Sequence, residues 1–259
     1  MNRIRRLYKF ILHFLTARHT HGFGVHSPYV YRFTDLVVYN TSVYYIFSSI
    51  EKIRLSLKRD TTELEIVDFG TGGNRNISIA EITRTSLKPA RYGQLLYRLT
   101  DYIKAGNILE LGTSLGLTSS YLAAPSSAAR MVSLEGSETL AEIAKANFKL
   151  LGITNIEIVT GNIDLTLTGV VDDFSQLDLV FIDANHHSKA VLAYFEQILR
   201  KIRSESIVVV DDIYWSPDME YAWKTIKQHP RVTSTIDLFE LGIVFFNEDL
   251  HRKNYKMRF

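Results

Sequence analysis

The sequence contains no cysteine, and its 259 residues include only 14 glycines and 5 prolines. The absence of cysteine excludes disulfides, thiolate nucleophiles and cysteine-ligated metal sites. Because glycine and proline are few and 46% of the residues are hydrophobic, a collagen-like, repetitive or disordered chain is also excluded. No apolar run approaches the roughly 18 residues of a membrane-spanning helix. The composition therefore indicates a globular chain that can bury a core without covalent cross-links.

Charge is distributed unevenly along the chain, although the formal net charge is only +2. Residues 1–34 and 251–259 contain ten basic residues and no acidic one. Removing these ten from the 30 basic residues leaves 20 basic against 28 acidic residues, a net charge of −8, for residues 35–250. An acidic body with basic ends is not typical of a dedicated nucleic-acid-binding protein, which carries a basic face.

The N-terminal segment 2–15 has apolar residues at spacings of three and four, which predicts an amphipathic helix. These apolar positions are Ile4, Leu7, Tyr8, Ile11, Phe14 and Leu15. Lys9 and His13 interrupt the apolar stretch and no small-residue cleavage site follows, so a signal peptide is not indicated. Two interpretations remain open. The helix lies on an anionic membrane surface, or it covers its own domain with the apolar stripe, which is the commoner arrangement.

From residue 107 onward, short β-rich runs alternate with helical patterns, which predicts a parallel sheet with helical crossovers. The predicted strands are 107–112, 130–135, 155–161, 177–183, 206–212, 232–239 and 243–247. The last two should pair as an antiparallel hairpin because only a few residues separate them. The predicted fold is therefore α/β, with a doubly wound, seven-stranded, mostly parallel sheet that contains one reversed strand. Residues 1–60 should be helical, and 61–105 should contain one strand, 64–69.

Two glycine clusters follow strand-like runs and compete as a cofactor-binding loop. The first runs from Asp68 to Gly73, and the second from Glu110 to Gly116. Only the second is followed by a helical run and then by a strand that ends in an acidic residue, Glu135. Glu135 lies 23 residues beyond the first glycine of that loop, about where an acidic side chain meets ribose hydroxyls in a nucleotide-binding βαβ unit. The second loop is therefore the predicted cofactor loop, and the first is predicted to be a surface turn.

The pattern Glu110-x-Gly112-x-x-x-Gly116, followed by Glu135, resembles the signature of class I S-adenosylmethionine-dependent methyltransferases. Ser114 stands where a dinucleotide-binding loop has its second glycine, which argues against a dehydrogenase. The resemblance implies a Rossmann-like methyltransferase fold and S-adenosylmethionine (SAM) as the cofactor.

The resemblance covers most of the chain and implies its domain organisation and its cofactor contacts. Residues 61–259 are expected to form the methyltransferase domain, with a cofactor-binding core at about 86–247, and residues 1–60 an N-terminal helical extension or lid. By resemblance, the glycines let the backbone approach the methionine moiety, Glu135 holds the ribose diol and Asn162 reaches the adenine edge. The implied cofactor-binding set is Glu110, Gly112, Ser114, Gly116, Thr118, Glu135, Asn162 and Asp183.

Acidic residues also end the two strands that come next along the chain. Asp183 ends the first of them, and Asp211 and Asp212 end the second. Because the carboxyl ends of adjacent parallel strands converge, the three carboxylates are expected to meet, and such a group suits Mg²⁺ or another hard divalent cation. The arrangement resembles the metal-dependent O-methyltransferases related to catechol and caffeoyl-CoA O-methyltransferases. Those enzymes have an Asp-Asn pair where this chain has Asp-Asp.

His186, three residues after Asp183, is the candidate general base. The metal-dependent relatives often carry a lysine at this position. An imidazole titrates near neutral pH and could accept a hydroxyl proton as a metal lowers the pKa of that hydroxyl. The resemblance then implies in-line transfer of the methyl group from the sulfonium to a metal-bound oxygen, aided mainly by alignment.

The predicted function is O-methylation of a small hydroxylated acceptor by a cytoplasmic enzyme, assisted by a divalent cation. Two alternatives stay open: methylation of tRNA or another macromolecule, which the acidic body disfavours, and a noncatalytic cofactor-binding or membrane-surface scaffold. Peripheral contact of residues 2–15 with the inner face of the membrane and a homodimer are both compatible with the sequence. Residues 21–28 are expected to form a connecting turn in which His26 is a core histidine; the alternative is that His26 reaches over the cofactor crevice as part of a lid.

Overall fold

The computed structural model describes residues 3–68 and 73–259. The strands in these residues are β1 Glu63–Asp68, β2 Gly73–Ser78, β3 Asn107–Leu111, β4 Arg130–Glu135, β5 Ile156–Thr160, β6 Leu177–Ile182, β7 Ile202–Asp211, β8 Ser234–Asp237, β9 Leu241–Phe245 and β10 Lys253–Lys256. The α-helices are α1 Arg3–Thr16, α2 Pro28–Phe33, α3 Tyr45–Leu57, α4 Ile79–Thr85, α5 Ala90–Ile103, α6 Leu117–Ala123, α7 Glu138–Leu151, α8 Ile163–Asp173, α9 Ser188–Leu199 and α10 Pro217–Gln228. A 3-10 turn, Thr20–Gly22, and a π-helical turn, Thr34–Val38, flank α2.

Eight of these strands form a mostly parallel central sheet, and β1 and β2 pair as a separate antiparallel hairpin. The predicted α/β class is therefore confirmed. By its internal contacts the chain divides into two compact units, one made of residues 1–40 and 174–259 and the other of residues 41–173.

In the unit 41–173, strands β3, β4 and β5 lie side by side and parallel, with β4 in the middle. Helix α7 follows β4 and is capped as its sequence predicts. The Ser137 hydroxyl accepts a hydrogen bond from the Leu140 amide at the start of the helix, and Gly152 ends it in the left-handed conformation at φ 67°. The parallel order places the carboxyl ends of the three strands at one edge of the sheet.

In the other unit, the strand order is β10-β8-β9-β7-β6. Strands β6 and β7 are parallel, whereas β9 runs antiparallel to both β7 and β8. The predicted hairpin and the single reversed strand are thereby confirmed. The predicted number of seven strands is wrong, because the short strand β10 pairs with β8 at the edge of the sheet and brings the number to eight.

The first glycine cluster lies between β1 and β2. Its residues 69–72, for which a surface turn was predicted, lie outside the described residues. The flanking Asp68 and Gly73 pair with each other across the hairpin. Strand β2 was not predicted, because the run Gly-Asn-Arg-Asn lacks the apolar alternation of a strand.

Helix α1 is amphipathic, as predicted, but its apolar face is exposed and its polar face is turned towards the protein. Its apolar side chains are exposed, for example 80% at Ile4 and 71% at Leu15. Its polar side faces the protein, where the buried His13 lies 2.9 Å from the carbonyl oxygen of Met257. The interpretation that α1 covers its own domain with the apolar stripe is therefore wrong.

The connection from α1 to α2 is a turn, as predicted, but His26 is exposed rather than a core histidine. Ser27 is extended before Pro28 and its hydroxyl caps α2 by accepting a hydrogen bond from the Val30 amide.

Among the residues that the structure describes, no helix is long and apolar enough to span a membrane.

Candidate active site

The predicted cofactor loop joins β3 to α6 and is held by backbone geometry that favours glycine. Gly112 and Gly116 have φ values of 100° and 78°, and Ser114 between them also has a positive φ of 49°. A Cβ atom added at Gly116 would lie 2.6 Å from the Phe148 ring of α7. Gly116 is thus required both by its backbone conformation and by the close packing of the loop against α7.

The loop presents some of its residues to solvent and buries others. Gly112, Ser114 and Thr118 are partly exposed, whereas Gly116 is buried. The accessible members are therefore the ones that a ligand could touch without a rearrangement of the loop, and Gly116 serves to shape it.

Glu135, the last residue of β4, forms hydrogen bonds with both the loop after β3 and the turn after β4. One of its carboxylate oxygens accepts a hydrogen bond of 2.7 Å from the Ser114 amide, and the other accepts one of 2.9 Å from the Ser137 amide. Burial raises the pKa of Glu135, and the backbone N–H donors oppose that rise because they stabilise the carboxylate. The residue is 8% exposed, so only a small part of it reaches the surface.

Asn162 lies beside Glu135 at the end of β5. The amide of Gly161 donates to the Glu135 carbonyl oxygen at 2.9 Å, which holds the two strand ends together. Asn162 is partly exposed, and its side-chain oxygen accepts a hydrogen bond from the Asp164 amide at 2.9 Å. The structure thus brings Ser114, Glu135 and Asn162 to one accessible edge.

Glu110 does not lie at this edge. It is fully buried, and one carboxylate oxygen accepts hydrogen bonds from the hydroxyls of Ser119 and Ser133. Ser133 also shares a 2.5 Å hydrogen bond with Thr113. Burial raises the pKa of Glu110 to about 8, although the two serine hydroxyls oppose the rise. Glu110 therefore belongs to a polar network beneath the cofactor loop.

A second cluster of predicted site residues lies at the ends of β6 and β7, which are parallel neighbours. Asp183 and His186 follow β6, and the His186 Nε2 lies 4.0 Å from an Asp183 carboxylate oxygen. Asp211 ends β7 and is 1% exposed, and one of its oxygens accepts a hydrogen bond of 2.7 Å from the Asp212 amide. The His186 ring lies 6.2 Å from the ring of Trp215, measured between centroids.

The three predicted metal ligands are Asp183, Asp211 and Asp212. Within residues 3–68 and 73–259, no group of three or more histidine, aspartate or glutamate side chains is arranged so that it could hold a metal ion. Asp211 is buried while the Asp183 side chain is 20% exposed. The arrangement does not fit a three-carboxylate site, and the metal ligands stay a prediction.

Strained backbone is concentrated in the loops that carry the predicted site residues. Seven non-glycine residues in the described part of the chain have positive φ, and four of them follow β3, β6 or β7. These four are Ser114, Asn185, His186 and Asp212. Such conformations each cost roughly 1–3 kcal/mol and tend to occur at functional sites. The backbone conformation of these loops, like their sequence, therefore makes them candidate functional sites.

A buried carboxylate that the sequence analysis missed lies next to the loop after β7. Asp237 accepts a hydrogen bond of 2.6 Å from the Tyr214 hydroxyl and one of 3.0 Å from the Phe239 amide. It also lies 3.3 Å from the His13 Nδ1. Burial lowers the pKa of His13, and Asp237 partly opposes that effect. The sequence offered one signal for this contact, which is a histidine, His13, in the centre of the polar face of α1. The partner could not be identified from it, because Asp237 lies more than 200 residues away in sequence.

Comparison with known proteins finds similarity to methyltransferases. A family model described as a methyltransferase domain matches residues 109–213. A catechol O-methyltransferase of Mycobacterium tuberculosis is 32% identical over 136 residues, which are 52% of this chain and 60% of that protein. A catechol O-methyltransferase of Niastella koreensis is 32% identical over 124 residues, which are 47% of this chain and 55% of that protein.

A solved structure shares the fold. An O-methyltransferase from Bacillus cereus in complex with SAH is 21% identical and has a TM-score of 0.57, covering 82% of this chain and 96% of that one. The chain spans little more than half the length of the two curated relatives that it matches. The matched domain and the shared fold confirm that this chain resembles the class I SAM-dependent O-methyltransferases.

Proposed function

We propose that this chain transfers a methyl group from SAM to a hydroxyl oxygen of a small acceptor. The observation that carries the proposal is the position of Glu135. Its carboxylate lies at the end of β4, is bonded to the Ser114 amide of the glycine loop and lies beside Asn162 at the end of β5. The family resemblance predicts the same three strand ends as the cofactor-binding positions.

The chemistry of these residues fits an adenosine cofactor. Both oxygens of the Glu135 carboxylate are hydrogen-bond acceptors, which suits the two hydroxyls of a ribose. The Asn162 amide can pair with a heterocycle edge, and Thr118 offers a hydroxyl at the first turn of α6. When bound, SAM supplies a methyl group that its sulfonium has already activated.

In this proposal the chain itself handles the acceptor proton. His186 accepts the hydroxyl proton as the O–CH₃ bond forms and the S–CH₃ bond breaks, which leaves a methylated acceptor, S-adenosylhomocysteine (SAH) and an imidazolium. The Asp183 carboxylate, 4.0 Å from the His186 Nε2, stabilises that imidazolium by its charge. Asn185 and His186 both have positive φ values, 68° and 44°.

Replacing His186 by Ala should lower turnover at least roughly tenfold, the usual size of a general-base contribution being 10²–10⁴. SAH affinity, measured by calorimetry, should stay within about twofold of wild type, because His186 is assigned to the acceptor. The matched control is His187→Ala, since the His187 side chain is 65% exposed and lies against Asp218 on the surface. Equal turnover of the two variants would remove His186 as the base.

The divalent cation is proposed separately, because the three carboxylates do not form a metal-binding group in the structure and no step above depends on a metal. If Asp183, Asp211 and Asp212 rearrange to hold Mg²⁺, dialysis against EDTA should lower turnover at least roughly tenfold, and added Mg²⁺ should restore it. Asp212→Asn should then weaken the response to Mg²⁺. Turnover that is unchanged in EDTA would refute the cation without touching the proposed methyl transfer.

The proposed partner is a small hydroxylated molecule, and a cytoplasmic location is proposed with it. The two curated relatives are catechol O-methyltransferases, so a catechol is the first acceptor to test. Nothing in the described structure favours a nucleic-acid substrate. Membrane contact through residues 2–15 and a homodimer are both compatible with the exposed apolar face of α1.

A further inference from the structure

Helix α1 exposes a continuous apolar face. Eight large apolar residues of this helix are between 40% and 80% exposed, and seven of them, all except Phe10, occupy an arc of the helical projection that no charged residue interrupts. These seven are Ile4, Leu7, Tyr8, Ile11, Leu12, Phe14 and Leu15. An amphipathic helix of a globular domain usually turns such a face towards the core, so this orientation requires an explanation.

The cations of α1 hold the helix in this orientation. Arg5 and Lys9 both form ion pairs with Glu220 of α10, the second at 2.9 Å, and Arg6 pairs with Glu240 in the turn between β8 and β9. These charges lie on the inner side of the helix, next to the buried His13. The docking of α1 is thus polar, and its apolar side stays exposed.

Basic residues from both ends of the chain gather at the C-terminal end of this apolar face. The Lys256 ammonium donates a hydrogen bond to the Thr16 hydroxyl at 2.8 Å. The Arg258 guanidinium lies 4.0 Å from the centroid of the Phe14 ring and donates to the Phe14 carbonyl oxygen. Arg18 is exposed just beyond the helix. Residues 1–34 and 251–259, which supply this cluster, contain no acidic side chain.

We propose that the apolar face of α1 and the adjoining basic cluster bind the surface of an anionic phospholipid membrane. An uncharged apolar face enters the boundary between head groups and acyl chains, and nearby cations attract anionic lipids. Charge complementarity favours this occupant, since the cluster formed by Arg18, Lys256 and Arg258 has one sign. The helix is 14 residues long, so it lies on the membrane and does not cross it.

A second copy of the chain is the competing occupant. The exposed fractions of the seven residues add up to about four whole side chains, or roughly 600–800 Å² at the size of large apolar residues. A stable dimer needs roughly 600–1,000 Å² on each partner, so this area reaches the lower end of that range. A second copy bound through the same face, however, would present another basic cluster, whereas an anionic membrane supplies charge of the opposite sign.

The experiment is cosedimentation of the full chain with vesicles of phosphatidylcholine alone or mixed with phosphatidylglycerol, at low and high salt. The test variant is Ile4→Gln/Ile11→Gln/Leu15→Gln, and the matched control is Leu150→Gln/Leu165→Gln. The control residues are 76% and 81% exposed in the other unit, so both variants replace exposed apolar residues. A third variant, Arg18→Gln/Lys256→Gln/Arg258→Gln, removes the basic cluster. Thermal unfolding checks that each variant is folded.

The proposal predicts that wild type and control bind the anionic vesicles and that the α1 variant binds them at least roughly tenfold more weakly. The basic-cluster variant should lose the preference for anionic vesicles, and high salt should have the same effect on wild type. Equal binding of the α1 variant and wild type would overturn the proposal. So would a wild-type chain that ignores vesicles but sediments as a dimer that the α1 variant dissociates, because the face would then bind a second copy.

Discussion

Replacing Glu135 by Gln should weaken SAH binding roughly tenfold to a hundredfold. A carboxylate accepts hydrogen bonds at both oxygens, and hydrogen bonds to a charged group contribute about 1.5–3 kcal/mol, which is about one to two powers of ten in affinity. The amide that replaces it has one accepting oxygen, and its NH₂ group would face an N–H donor, either the Ser114 or the Ser137 amide. The measurement is calorimetric titration with SAH, which does not require the acceptor to be known.

The control for this variant is Glu157→Gln. Glu157 lies on β5 in the same unit, and its side chain is 63% exposed. Its replacement should leave SAH affinity within about twofold of wild type. Glu135→Asp, which keeps the charge, should bind better than Glu135→Gln if the carboxylate itself contacts the ribose. A Glu135→Gln variant that is folded and binds SAH as wild type does would remove Glu135 from the cofactor site.

Replacing Glu110 by Gln should abolish a large pH dependence of stability. The pKa of Glu110 is raised from 4.5 to about 8 in the folded chain, so the folded state binds this proton more tightly than the unfolded state does. The stability contribution is fully present below pH 4.5 and is lost as the pH rises through about 8. At 1.36 kcal/mol for each pKa unit, the free energy of unfolding should fall by about 3–5 kcal/mol over this window.

Glutamine at position 110 resembles the protonated carboxyl and does not titrate. Its oxygen can still accept from Ser119 and Ser133, and its NH₂ group takes the position of the carboxylate oxygen that has no hydrogen-bond partner among the described residues. The measurement is urea unfolding at pH values from 5 to 9. As the pH rises, the free energy of unfolding of wild type should fall while that of Glu110→Gln stays nearly constant, so the difference between them should grow by roughly the amount that wild type loses. Glu157→Gln should keep the wild-type slope. Parallel curves for wild type and Glu110→Gln would contradict the assignment.

The local elements at the candidate site could be predicted from sequence because their signals are local. The strand Arg130–Glu135 was predicted with the observed bounds. The burial of Glu110 could not be predicted in this way. Successive residues of a strand point to opposite faces of the sheet, so a side chain near a strand end can face either the core or the surface. Glu110 faces the core, where the hydroxyls of Ser119 on α6 and Ser133 on β4 donate hydrogen bonds to it.

Long-range partners account for the other differences. The hydrophobic pattern of α1 identifies an apolar face but not the direction in which that face points. The direction is set by Glu220 and Glu240, which lie more than 200 residues away in sequence. Strand β10 was missed for a related reason, because the sequence Lys-Asn-Tyr-Lys has little strand character and is ordered by pairing with β8.

Methyl transfer from SAM to a hydroxyl oxygen can be measured directly with SAM that carries an isotopically labelled methyl group. The full chain is incubated with this cofactor and with catechol and other small hydroxylated acceptors, and the products are analysed by mass spectrometry. We expect an O-methylated product that carries the label, formed together with an equal amount of SAH, and at least roughly tenfold slower formation of it by His186→Ala and, at SAM concentrations that do not saturate the variant, by Glu135→Gln. A labelled product formed equally well by His186→Ala, or SAH binding without transfer to any hydroxyl in the panel, would contradict this expectation.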